Sequence, residues 1–150
     1  MKKITKIDFR SPTPINIQIT GQIQRLIATG DLVPGERLPT LRELAAELQI
    51  NFTTVARAYR ALDAEGLIST QHGRGTFVLG PATEEANTRL REKSLNDLTR
   101  EYVRETRHLG FDDQMILQWV QRSLQHAGPR DEEHLDSPAN ETDQRGTKKA

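Results

Sequence analysis

PTLRELAAELQINFTTVARAYRALDAEG, residues 39–66, decides the fold. Thr40-Leu41-Arg42-Glu43 is a capping-box sequence, in which Thr40 closes the first turn of a helix and Glu43 reaches back to the Thr40 N–H. Leu41, Leu44, Ala45 and Leu48 follow at i, i+3, i+4 and i+7, which gives this short helix one apolar face. A second start signal arrives almost at once. Asn51 sits as an N-cap, and from Phe52 onward Val55, Ala58, Tyr59 and Leu62 share one sector until Gly66 ends the run. A cap between helices separated only by Gln49-Ile50-Asn51 forbids a straight continuation. The pair is a helix-turn-helix.

Working outward, residues 1–11 read as an extended N-terminal arm. Pro12 and Pro14 then lead into a helix with Ile15, Ile19, Ile23, Leu26 and Ile27 on one face, and Gly30 stops it as a C′ glycine. Asp31-Leu32-Val33-Pro34-Gly35 is a turn, and Glu36-Arg37-Leu38 has room only for a stub of strand. After the helix pair, Leu67-Ile68-Ser69-Thr70-Gln71 and Thr76-Phe77-Val78-Leu79 flank His72-Gly73-Arg74-Gly75, which predicts a two-stranded hairpin with a glycine-rich tip. Gly80-Pro81 breaks the chain. Residues 84–109 read as a helix with Leu95, Leu98, Tyr102 and Leu109 as its apolar stripe, stopped by Gly110. Asp112 can cap a last helix carrying Met115, Ile116, Trp119, Val120 and Leu124. Residues 128–150 contain Pro129, Pro138 and Gly146 with Leu135 as their single large apolar side chain, and are expected to be a disordered tail. The fold class is α+β: a winged helix-turn-helix over residues 12–80, followed by a short two-helix element over residues 82–127.

Composition narrows the function classes. The chain has 150 residues, no cysteine and four scattered histidines (His72, His108, His126 and His134) with no close i, i+4 pair. Thiolate sites and cysteine nucleophiles are excluded, and no metal site or cofactor is expected. No apolar run approaches the roughly 20 residues of a membrane span. The start, Met1-Lys2-Lys3-Ile4-Thr5-Lys6, runs into Asp8 and Arg10 where a signal peptide needs an apolar core, so a cytoplasmic protein is expected. No nucleophile–base constellation or phosphate-cradling loop is recognisable, and an enzyme is not expected. The formal net charge is zero, but it is unevenly spread. Residues 1–80 hold ten Lys/Arg against seven Asp/Glu, whereas both later segments are acidic. The basic excess therefore falls on the helix-turn-helix.

The second helix of such a pair fits the DNA major groove, and a hairpin wing reaches a neighbouring groove or the backbone. At roughly 100° per residue, Thr53, Arg57, Arg60 and Ala64 lie opposite the apolar sector and face outward. No acid precedes Asp63 in this helix, although the helix dipole favours one in the first turn. Hydroxyls from Thr53 and Thr54 and a guanidinium from Arg57 suit base edges and phosphates. Arg60 either meets a phosphate or pairs with Asp63. Arg42, exposed on the preceding helix, adds a cation. Asn51 at the cap and Arg74 at the wing tip complete the candidate DNA-binding set. Gly73 and Gly75 serve turn geometry first.

The stretch PGERLPTLRELAAELQINFTTVARAYRALDAEGLISTQHGRGTFV, with PINIQITGQIQRLIATGDL before it, resembles the DNA-binding domain of the GntR family of bacterial regulators. The PG turn, LPTLRELA, TTVARAYRALDAEG and the HGRGTFV wing occur in the family's order. The resemblance implies that Arg42 is the DNA-contacting arginine of the middle helix, that Thr53 and Thr54 open the recognition helix, and that His72 and Gly73 form the wing tip. Two positions depart from many relatives. Asn51-Phe52 stands where Ser/Thr-Arg is common, and Ala56 stands where an arginine often follows TTV. Phe52 either contacts a thymine methyl or packs.

Ligand-sensing domains of this family need on the order of 100 residues or more, and residues 82–127 are too few. The short tail resembles that of the YtrA-like subfamily, whose two helices form a dimerisation element. Two amphipathic helices cannot bury both stripes alone, so Trp119, Tyr102 and the leucines suit a self-complementary surface; the alternative packs them back on their own chain. The expected protein is a sequence-specific DNA-binding regulator, a homodimeric repressor on a palindromic double-stranded operator. Control of a transporter operon is implied by the resemblance, and a small-molecule effector is left open. The alternative is a winged-helix protein-interaction module without sequence-specific DNA binding.

Overall fold

The computed structural model describes Ile4 and residues 7–126; the expected disordered tail, 128–150, lies outside the described residues. The element order is α1 (Ile15–Ala28), β1 (Arg37–Leu38), α2 (Leu41–Leu48), α3 (Phe52–Ala64), β2 (Ile68–Gln71), β3 (Gly75–Val78), α4 (Glu84–His108) and α5 (Asp113–His126). The chain divides into two compact units, Met1–Glu105 and Thr106–Ala150. No helix among the described residues is long and apolar enough to cross a membrane.

In the first unit, α3 packs against α1, α2 and β2. Ile19 and Ile23 of α1 meet Val55, Ala58 and Leu62 of α3 in a core that also takes in Leu32, Leu44, Ile68 and Val78. Burial of each large aliphatic side chain contributes about 2 kcal/mol, so α3 is held firmly by its inner face while its outer face stays free. The sheet is three-stranded and antiparallel, ordered β1-β3-β2. The stub predicted at residues 36–38 thus joins the hairpin as an edge strand, with Arg37 opposite Phe77 and Leu38 opposite Thr76.

The expected extended arm turns at residues 9–11. Residues 9–13 form a turn and a bend, held on both sides by the Gln18 amide: Asp8 N–H donates to Gln18 Oε1 (2.9 Å), and Gln18 Nε2 donates to the Asp8 and Thr13 carbonyls (2.9 and 2.8 Å). Ile4 is buried in the core and Ile7 packs against it.

Both halves of the capping box form. Glu43 N–H donates to Thr40 Oγ1 (3.2 Å), and Thr40 N–H donates to Glu43 Oε2 (2.7 Å). The Thr40 backbone and side-chain bonds, with Arg37 adding a smaller attraction, hold the Glu43 carboxyl below its ordinary 4.5. A depressed carboxyl stabilises the fold above the unfolded-state value and loses that contribution as pH falls through the folded one. Thr40→Ala removes the N-cap acceptor and is expected to cost about 1 kcal/mol at neutral pH. It should also shrink part of the loss of stability on the acid side of 4.5, the part owed to the Thr40 side chain, since the Thr40 N–H that lowers the carboxyl most is kept. Urea melts of wild type and variant at neutral pH and at about pH 3.5 check both; equal stability at neutral pH would mean that the Thr40 side chain does not stabilise α2.

The face of α4 that packs is not its leucine stripe. Leu90 is buried in the core of the first unit, with Ser94 one turn on. Beside them Arg91 Nε donates to the Ala28 carbonyl (3.2 Å), Lys93 pairs with Glu65 (3.8 Å), and Arg25 pairs with Glu101 (4.0 Å). Leu95, Leu98 and Tyr102 remain exposed. In the second unit, Gly110 (φ +88°) ends α4, and Asp112 caps α5 by accepting from Met115 N–H (2.9 Å). Arg107 grips Asp113 through two bonds of 2.9 Å. Ile116 is buried, whereas Leu109, Met115, Leu117, Trp119 and Leu124 are exposed.

Candidate nucleic-acid interface

The turn between α2 and α3 sets the direction of the outer face of α3. Gln49 caps α2 in the left-handed region at φ 54°, and Ile50 N–H returns to the Ala45 carbonyl (3.0 Å). Asn51 then starts α3, its Oδ1 accepting from Thr53 N–H (2.8 Å) and from the Thr53 hydroxyl. Tyr59 fixes the same corner from inside: its hydroxyl donates to the Pro39 carbonyl (2.8 Å), and burial, with the Glu43 charge adding, pushes the phenol well above its ordinary range. It stays a neutral donor.

On the outer face, Thr53, Arg57 and Arg60 are exposed and Thr54 is half-buried. Thr53 has committed its hydroxyl hydrogen to Asn51, so it offers lone pairs outward, whereas Asn51 keeps its amide N–H groups. Arg60 folds back along its own helix, Nε donating to the Ala56 carbonyl (3.3 Å), and makes no ion pair with Asp63. Phe52 is 47% exposed, so packing alone does not account for it. The first turn of α3 carries no acid, leaving the positive end of the helix dipole uncompensated. Arg42 is exposed on α2, and His72, Gly73 and Arg74 are exposed at the β2–β3 tip, where Gly73 takes φ +73° and Arg74 N–H closes the turn on the Gln71 carbonyl (3.0 Å). All nine sequence-selected residues thus lie on the first unit.

One neighbour of this set had no sequence signal. Arg37, on β1, lays its guanidinium over Gly75 at the base of the wing. A two-residue strand has no period to read, and the contact depends on a strand pairing distant in sequence.

A helix-turn-helix braced by a three-stranded wing, with an outward second helix bearing arginines and hydroxyls, defines a winged helix-turn-helix DNA-binding protein. Residues 16–78 match the model of the bacterial regulatory proteins of the gntR family. The HTH-type transcriptional repressor YtrA of Bacillus subtilis is 35% identical over 118 residues, which cover 77% of this chain and 88% of that relative. A GntR family transcriptional regulator from Listeria monocytogenes, of solved structure, is 32% identical with a TM-score of 0.55, covering 76% of this chain and 98% of that one. YtrA from Sulfolobus acidocaldarius, described as a GntR-family transcription factor, is 41% identical with a TM-score of 0.50 over 63% of this chain and 99% of its own. The chain belongs to the GntR family of transcription regulators, and its likeness to YtrA extends over most of its length.

Proposed function

We propose that this protein is a homodimeric repressor that reads a two-fold symmetric operator, with α3 in the major groove and the wing against an adjoining groove or backbone. The observation that carries the reading is the outer face of α3, where Arg57 and Thr53 stand exposed opposite a fully buried Val55, Ala58 and Leu62. In this reading Arg57 contacts a guanine edge, and Thr53, Thr54 and the Asn51 amide serve neighbouring bases or phosphates. Arg42, Arg60, His72, Gly73 and Arg74 meet the backbone or groove walls. Phe52 offers an apolar edge that suits a thymine methyl.

The exposed Leu95, Leu98 and Tyr102 on one face of α4 and, separately, the exposed Met115 and Trp119 on one face of α5 support dimerisation, because large apolar side chains left on a surface favour association. Repression follows the name of the Bacillus subtilis relative, a transcriptional repressor. A transporter operon as target rests on the YtrA-like resemblance. The test is selection of bound duplexes from fragmented host DNA by the full chain. Recovered fragments should share an inverted repeat with half-sites about one helical turn apart. Recovery without any shared sequence would overturn specific readout and leave only phosphate-driven binding.

A further inference from the structure

We propose that Arg37 is a DNA-phosphate contact, parked against the wing because position 75 has no side chain; this rests on the DNA-reading role above. Arg37 pairs with Phe77 across β1 and β3, which puts Gly75 two residues along β3 from its partner. On an antiparallel pair such diagonal neighbours share a face. The Arg37 side chain follows that diagonal toward the wing tip. A Cβ built on Gly75 would lie 2.7 Å from Arg37 Nε and 3.3 Å from Cζ and Nη2, so the guanidinium fills the space a side chain would need. Gly75 also sits at φ +117°, where other residues are strained. The wing backbone at this point is a smooth ledge, and an arginine lies on it.

What the guanidinium does there follows from its partners. Arg37 is exposed and makes no ion pair among the described residues. The carboxylate that feels its charge, Glu43, is spent on the Thr40 N–H. Its fork of N–H donors is thus largely uncommitted, beside the exposed His72-Gly73-Arg74 tip. A phosphodiester oxygen is the anion that a DNA-binding wing brings to this position. The contact is made to phosphate and carries no base preference.

The experiment compares the full-length wild type, Arg37→Gln and Arg37→Lys on two duplexes of equal length, one selected by the protein and one of random sequence. Affinities are measured across a range of salt concentrations. Neutralising one phosphate adds about 0.9 to the slope of log K against log salt. Arg37→Gln should therefore weaken both duplexes by the same factor and flatten the slope by about 0.9, so that its deficit narrows roughly 3.5-fold between about 50 and 200 mM salt. Arg37→Lys should keep the wild-type slope. A wild type that binds and an Arg37→Gln slope that matches it overturn this proposal alone. A wild type without salt-dependent binding overturns the DNA-reading role, and this contact with it.

Discussion

Aspartate in place of Trp119 is expected to turn the protein into a monomer at micromolar concentration and to weaken operator binding by at least about a hundredfold. Trp119 is 55% exposed, one turn after the exposed Met115 on the same face of α5, with the Arg122 guanidinium 5.6 Å from its ring centroid. Large aromatic side chains at the centre of an interface commonly contribute more than about 2 kcal/mol each. Aspartate also removes the ring that the Arg122 guanidinium lies over and puts a charge into the contact, whose desolvation adds to the cost. Because the side chain is exposed in the single chain, its replacement leaves the fold of either unit intact, and the loss falls on association. A two-fold operator magnifies that loss, since a monomer engages only one half-site. Sedimentation and operator titration should change together. A Trp119→Asp protein that still sediments as a stable dimer would place the interface elsewhere.

Arg57→Ala is the counterpart on the DNA side. Its guanidinium stands on the outer face of α3, between one and two turns from the Asn51 cap, opposite the buried Val55, Tyr59 and Leu62. A bidentate arginine–guanine pair contributes about 1–3 kcal/mol of discrimination. Its removal should weaken specific binding about ten- to a hundredfold and relax the preference at one position per half-site. The pattern separates it from Arg37: loss of Arg57 acts on one base pair, whereas loss of Arg37 acts on every sequence alike through the salt slope. Titration against the operator and its single-base variants reads the difference. Unchanged affinities throughout would mean that α3 does not present this face to DNA.

Much of the fold was legible because its signals are local. The Thr40–Glu43 box, the Asn51 cap and the sectors of Val55, Ala58, Tyr59 and Leu62 are encoded within a few residues, and the structure has them as expected. Three features were not legible, each for a physical reason. The Gln18 amide competes as a backbone partner for Asp8, and no propensity records such a contact. The packed face of α4 is set by Leu90 and Ser94, whereas the richest apolar periodicity in that helix belongs to the residues left outside. Periodicity reports which residues share a face; it does not say which face meets the core of the same chain. The Arg37–Gly75 contact requires the β1–β3 register, which follows from the closed fold and not from either segment. Within the candidate site, the outward position of Arg57 was readable from helical geometry. The commitment of the Thr53 hydroxyl to Asn51 was not, since it depends on a rotamer.

The left-handed turn at Gln49 has a consequence for which substitutions the protein tolerates. Its side chain is exposed, yet it is the one non-glycine residue at positive φ among those described. An L-residue held there costs about 1–2 kcal/mol, a cost that glycine escapes and asparagine partly offsets. Branching at Cβ raises it. A saturation scan would therefore find a solvent-facing position that disfavours valine and isoleucine, while glycine and asparagine pass or improve on the parent. Fitness at position 49 tracks the sign of a backbone angle, and surface exposure is no guide to how freely this residue can drift.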